Sequence, residues 1–247
     1  MLLADLHVHS RWSDGKLTIP EVVDLFGESG HDVIAITDHV VNQDNLLGKV
    51  AHGLHLSVTR DRFAEYREEI AREGRRAWDR WHMVVLAGCE LTRNAFSGDR
   101  SAHALALGLD EFVSADGPMD EVLGRAQKAG AVTVACHPNE QSGLFENTFH
   151  LWNRRKELGD LIDLWEIACR WDLFPRVSRE HLRFVGNSDF HDRPHLWAWK
   201  TLLPCEKSER AVLAALKAGG GFALTRLPRP FWVEAPDTLG GLVAQPA

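Results

Sequence analysis

The sequence predicts one α/β domain whose strands close into a barrel, and three observations predict it. The chain has 247 residues, a length that a single α/β barrel routinely fills. Short apolar runs recur along it, each bounded by polar residues or glycine. Amphipathic segments separate most of these runs, and strands that alternate with helices build parallel β/α units.

The elements follow in order. Residues 2–6 form the first apolar run, and Thr18 or Ile19 then caps a helix that carries Pro20 in its first turn and ends at Gly30. Residues 32–37 give the second strand. The insert 40–82 contains a highly charged stretch, 60–81, whose Phe63, Tyr66, Ile70, Ala77 and Trp81 recur at helical spacing. It is either a cap on the pocket or a helix covering the barrel wall. Further strands are predicted over 83–89, 102–107, 131–136, 161–167 and 184–188, with helices over 119–129, before Gly130, and 208–218, before Gly219. No repeat or Pro/Gly/Ser linker divides the chain, so the expectation is one domain over 1–247, with the barrel to about 225 and an irregular tail over 226–247.

Composition removes several classes of function. At 45% hydrophobic and 26% charged residues, the chain is neither disordered, collagen-like nor a coiled coil. No run approaches the ~18 apolar residues of a bilayer span, and the first residues lack a signal-peptide pattern, so a cytoplasmic protein with no membrane partner is expected. A formal net charge of −7 offers no footprint for sequence-independent nucleic-acid binding. Cys89, Cys136, Cys169 and Cys205 lie far apart, as buried thiols would, whereas 13 histidines invite a search for metal ligands.

The histidines and carboxylates fall at strand ends. His7 and His9 follow the first strand, Asp38 and His39 the second, Glu90 the third, His137 the fifth, and Asp189 with His191 the seventh. In an α/β barrel those carboxyl ends converge on one rim. His7 and His9, two apart in an extended segment, point the same way, with Asp5 on that face. Asp189 and His191 repeat the spacing. His103 is awkward, because it opens its strand rather than closing it. Mixed imidazole and carboxylate donors suit zinc, manganese or iron better than calcium. Asp5 is expected to orient a ligand imidazole from behind, Asp38 is either ligand or support, and Glu166 is either a support or a core-edge residue. His31, His52, His55, His82, His150 and His181 are assigned structural roles.

These residues resemble the polymerase and histidinol phosphatase (PHP) superfamily of metal-dependent phosphoesterases. The likeness rests on Asp5-Leu-His-Val-His-Ser10, Ser13-Asp-Gly15, Ile36-Thr-Asp-His39, Gly88-Cys-Glu90, His103, Cys136-His-Pro138 and Asn187-Ser-Asp-Phe-His191, in the family's order. The resemblance implies a distorted (β/α)7 barrel of the PHP type with two or three divalent ions (Mn, Zn or Fe) at its rim. It implies His7, His9, Asp14, His39, Glu90, His103, His137, Asp189 and His191 as ligands, with Glu90 bridging two ions. Members of the superfamily include histidinol-phosphate phosphatases, proofreading modules of bacterial DNA polymerases, nucleotide and oligonucleotide hydrolases, and hydrolases of non-phosphate esters.

Three such ions against Asp14, Glu90 and Asp189 leave a pocket of formally about +3, which suits an anionic substrate. A small phosphate ester, a nucleotide or a short oligonucleotide is therefore expected, attacked by a metal-activated water. Arg11, Arg93, Arg170 and Arg193 lie near the rim in sequence, and Arg170 with Arg193 is the preferred pair for phosphate. His195 is a candidate proton donor to the leaving group. Trp171, Trp197 and Trp199 could stack a ring, although packing is the commoner use of tryptophan. The alternatives are hydrolysis of a carboxylic or carbamate ester on the same scaffold and, last, a non-catalytic metal-binding module, which is disfavoured because every ligand position is filled. The substrate, the oligomeric state and the use of the insert are not legible.

Overall fold

The computed structural model describes residues 1–44, 49, 53, 56–139 and 148–228. His52 and His55, most of the segment where the insert would cap a pocket, and the tail beyond residue 228 lie outside the described residues. The chain folds into a curled sheet wrapped by helices, the distorted barrel that the sequence predicts.

Its first half is built from β1 (Leu2–Val8), α1 (Ile19–Glu28), β2 (Val33–Ile36), β3 (His39–Val41), α2 (Phe63–Trp81), β4 (Val84–Arg93) and β5 (Ala102–Leu107). Then come α3 (Met119–Lys128), β6 (Val132–Ala135), α4 (His150–Asn153), β7 (Leu164–Cys169), β8 (Asp172–Leu173), α5 (Pro175–Arg179), β9 (Phe184–Asn187), β10 (Trp199–Leu203), α6 (Glu209–Ala218) and β11 (Ala223–Arg226). The sheet runs β11-β10-β1-β2-β4-β5-β6-β7-β8, with β3 beside β4 and β9 beside β7. A parallel bridge between Val8, at the end of β1, and Phe190, just after β9, curls the far side of the sheet back onto β1.

Local chemistry explains the helix ends. Thr18 and Glu21 form a reciprocal capping box at the start of α1, and the left-handed Gly30 follows its end, so Thr18 rather than Ile19 is the cap. Ser208 caps α6, which ends at the left-handed Gly219. Helix α2 packs on α1 and β4, so the charged stretch of the insert covers the barrel wall.

Two corrections bear on the site. First, the sheet is not uniformly parallel: β5 runs antiparallel to both β4 and β6, and β10 antiparallel to β1. The loop between β4 and β5 is too short for the dozen or more residues that a parallel crossover requires. His103 therefore opens β5 at the rim, opposite Thr92 at the end of β4, and its awkward placement disappears. Second, the register of β1 against β2 shifts between Asp5 and Val8. Such a bulge inverts the alternation of side chains. Leu6 joins the inner apolar cluster with Val33, Leu86, Leu105, Val134 and Val185, and His7 meets Glu90 in the same interior. Asp5 is left on the opposite side.

Candidate metal centre

The rim gathers all nine predicted ligands. Glu90 is at its middle, 1% exposed, with one oxygen 2.8 Å from His39 Nδ1, 3.3 Å from His9 Nε2 and 3.5 Å from His7 Nε2. Its other oxygen lies 2.9 Å from His103 Nδ1 and 3.7 Å from His137 Nε2. Asp189 Oδ1 stands 3.4 Å from Nε2 of both His7 and His9. Asp14 closes the outer side, 3.2 Å from His191 Nε2 and 3.6 Å from His39 Nε2. Three groupings have the spacing of a cation site: His7, His9 and Glu90; Glu90, His103 and His137; and His9, Asp14, His39 and His191.

Tautomers follow from what lies behind each ring. His7 Nδ1 donates to Glu166 Oε1 at 2.9 Å, which leaves Nε2 bare. Ser13 Oγ spends its proton on Asp38, so it accepts from His9 Nδ1 at 3.4 Å. Thr148 Oγ1 donates to the His137 carbonyl and accepts from Nδ1 of the same residue. His191 Nδ1 donates to the Asp189 carbonyl at 2.9 Å. His103 is reversed: its Nε2 donates to Asn94 Oδ1 at 2.9 Å and Nδ1 faces Glu90. Each of these outward N–H groups is fixed, and the lone pair on the other nitrogen points inward, as in metal-bound histidines.

The donor set fits divalent ions. His7 Nε2 and His9 Nε2 are buried with no hydrogen-bond partner among the described residues, with carboxylate oxygens 3.3–3.4 Å away. Buried polar atoms left so are costly unless something binds them. A fourth grouping, His7 with Glu166 and Cys169, is already closed by the His7–Glu166 hydrogen bond.

Burial disfavours charge on His7 and His39, yet Asp189, Glu166 and Glu90 raise His7, and Glu90 with Asp14 raises His39, well above the usual imidazole range. Burial likewise disfavours the charged carboxylates, but His39, His103 and His7 hold Glu90 far down, and Arg170, His7 and His191 do the same for Asp189. Without a metal, then, His7 and His39 hold a second proton, on the nitrogen that a metal would take. Metal uptake must release these protons, so affinity falls as pH drops below those raised values and climbs as pH rises through them. Calorimetric titration with manganese near neutral pH, in buffers of different ionisation heat, should show net proton release. A buffer-independent heat would exclude it.

Among the support residues, Asp5 departs from the expectation, whereas Glu166 and Asp38 take the supporting alternative. Asp5 touches no ligand ring: it accepts from the Ser188 N–H and hydroxyl and pairs at 3.0 Å with the buried Lys200. The bulge in β1 turned it away. Glu166 does the orienting instead, because β7 runs on to Cys169 and places it mid-strand, where it also accepts from the His137 N–H and from Asn187. Asp38 ties the Ser10 N–H, the Ser10 hydroxyl and Ser13 together. Gly15 is required there, since a Cβ would lie 2.6 Å from the His9 carbonyl.

The two preferred arginines part company. Arg170 reaches the cluster, Nε 2.9 Å from Asp189 Oδ2, whereas Arg193 is exposed and lies with Arg11 near Glu21 of α1. The reason is the turn from Arg193 to Trp197, which Asp192 caps through the Arg193 N–H. Arg11 binds the Lys16 carbonyl, and Arg93 ends β4 half-buried. His195 accepts the His191 N–H on Nδ1, and burial with the neighbouring Arg170 charge pushes its imidazole down to about 4. It is neutral near pH 7 and has only its Nε2 proton to offer. Trp199 and Trp171 both face the Arg226 guanidinium, and Trp197 packs on the core. His31 is buried against Phe26, His150 meets the Asp99 carbonyl, His82 ends α2 and His181 is exposed, none of them in the cluster. Asn94, Thr148 and Ser13 were not singled out as supports, because a polar residue one bond behind a ligand has no spacing rule.

The PHP domain model matches residues 5–128, half of the chain, and the chain belongs to that family. The DNA polymerase/3'-5' exonuclease PolX of Bacillus subtilis (strain 168) is 39% identical over 66 residues, which is 27% of this chain and 10% of that polymerase. The fold is similar to that of a Bacteroides vulgatus ATCC 8482 two-domain protein containing a predicted PHP-like metal-dependent phosphoesterase, with a TM-score of 0.61 at 20% identity over 91% of this chain and 64% of that one. An amidohydrolase from Chromobacterium violaceum gives a TM-score of 0.50 at 17% identity, covering 76% of this chain and 87% of that one. The chain thus spans a small part of the polymerase and under two thirds of the Bacteroides protein. No helix among the described residues is long and apolar enough to cross a membrane.

Proposed function

We propose that this chain is a metal-dependent phosphoesterase that hydrolyses a small phosphate ester or nucleotide, with the nine rim residues as ligands in one catalytic domain. The observation that carries this reading is Glu90, whose two oxygens are shared among five imidazoles. A carboxylate shared in this way fits a bridge between two ions better than a ligand to one.

Divalent ions held there supply Lewis acidity and an activated water. The chain's own residues do the rest. Glu166, Ser13, Thr148 and Asn94 keep the imidazole lone pairs inward. Arg170 sets a guanidinium beside Asp189, where a non-bridging phosphate oxygen would meet it, and Arg offers phosphate a planar fork of donors. His195 holds a proton on Nε2 behind His191. Arg193 is better suited to a second, more distant anionic group than to the scissile phosphate.

The test is chelation and restoration. The purified protein should carry divalent metal, lose phosphatase activity on chelation and regain it with manganese, zinc or iron, measured on a panel of phosphorylated metabolites, nucleotides and short oligonucleotides. Full activity without metal would end the reading. Turnover confined to carboxylic esters or amides would redirect it to another hydrolysis on the same metals.

A further inference from the structure

The third cation grouping differs from the other two in how it is held. Glu90 and His7 are sealed from solvent, whereas the side chain of Asp14 is 39% exposed and sits on the loop after β1. That loop buries two large side chains, Trp12 and Leu17, and Trp12 stands two residues before Asp14. Arg62, which precedes α2, and Tyr66 and Glu69 on one face of it clamp the Trp12 indole. Arg62 stacks its guanidinium over the ring at 4.3 Å, Tyr66 meets it edge-on at 5.4 Å, and Glu69 accepts the indole N–H at 2.7 Å. Positions 62, 66 and 69 follow the i, i+4, i+7 rule of a single helical stripe. The same Tyr66 hydroxyl accepts the Asp38 N–H and donates to the Gly88 carbonyl, so α2 also grips the segment that holds Ser10 and Ser13.

Resting on the metal-centre reading above, we propose that Trp12, clamped by Arg62, Tyr66 and Glu69, is a positioning residue that sets how tightly the outer cation site of His9, Asp14, His39 and His191 is held, acting through Asp14, which neither grouping built on Glu90 uses. The helix of the insert is then a strut behind a metal ligand. An indole fixed on three sides leaves the loop few ways to swing, and the carboxylate of Asp14 stays within reach of His39 and His191. The outer grouping is the most exposed of the three and Asp14 belongs to it alone, so a loss of rigidity at Asp14 would reach an ion held there first.

Stepwise manganese binding to the full chain, read by competition with a chelator, tests this without any assay of turnover. Trp12→Leu and Glu69→Leu should each weaken one binding step by about tenfold and leave the tighter steps as in the wild type. Glu69→Gln keeps an oxygen for the indole N–H and should stay within about twofold of wild type on the same reasoning. If Trp12→Leu does not fold, Glu69→Leu at the edge of the clamp carries the test. Steps that weaken together, or none that weaken, would overturn the strut. A wild-type chain that takes up no manganese at all would overturn the metal centre itself, and the strut with it.

Discussion

Glu90→Gln is expected to strip the protein of most of its metal and abolish turnover, a loss greater than the roughly 10–100-fold that follows removal of a residue behind a ligand. The amide removes the negative charge that five imidazoles surround. It also turns one acceptor into an N–H donor. Whichever way it flips, that donor faces either His103 and His137 or His7, His9 and His39, where a cation would otherwise sit. Elemental analysis and a turnover assay on the same preparation check the outcome. A variant that keeps its metal and works within about tenfold of wild type would show that Glu90 does not bridge. Thermal unfolding of the metal-free variant separates this from misfolding, because the wild-type carboxylate is itself buried.

That these histidines and carboxylates converge on one rim was legible because metal chemistry restricts residue type, and barrel geometry restricts position to strand ends. His7 and His9, Asp189 and His191, and Glu90 at the end of an apolar run needed no tertiary knowledge. The orientation of His103 was not legible: strands predicted over 83–89 and 102–107 leave twelve residues between them, room for a parallel crossover, and only the run of β4 on to Arg93 cuts that loop to eight. Other features left no such trace. The bulge in β1 is a backbone event without a sequence marker, and it turned Asp5 from the rings toward Lys200. Glu166 was placed at a strand end because the apolar run fades near it, yet pairing with β9 carries β7 on to Cys169. Arg170 and Arg193 looked equivalent in sequence, and only the capped turn at Asp192 separates them. Strands β10 and β11 were missed because Trp199–Leu203 and Ala223–Arg226 are short and carry lysine or arginine in the run.

Glu166→Gln should lower metal affinity by roughly 10–100-fold although Glu166 is not among the nine proposed ligands. Every neighbour of this buried carboxylate is a donor: His7 Nδ1 at 2.9 Å and the Asn187 amide at 2.8 Å share one oxygen, and the His137 N–H at 2.8 Å takes the other. A glutamine has one acceptor to offer them. Turned toward His7, it sets its NH2 against the His137 N–H and leaves a buried donor unsatisfied, at a cost of about 1–3 kcal/mol. Turned toward His137, it presents N–H to His7 Nδ1, which then becomes the acceptor and moves its proton to Nε2, where it blocks the ligating lone pair. Both arrangements also remove the charge that helps raise His7. Manganese titration should therefore show weaker binding at the sites that use His7 or His137, with the Asp14 site less affected, and thermal unfolding should show a modest loss of stability. Unchanged affinity at those sites would mean that Glu166 only fills the interior, and that the imidazoles hold their tautomers without it.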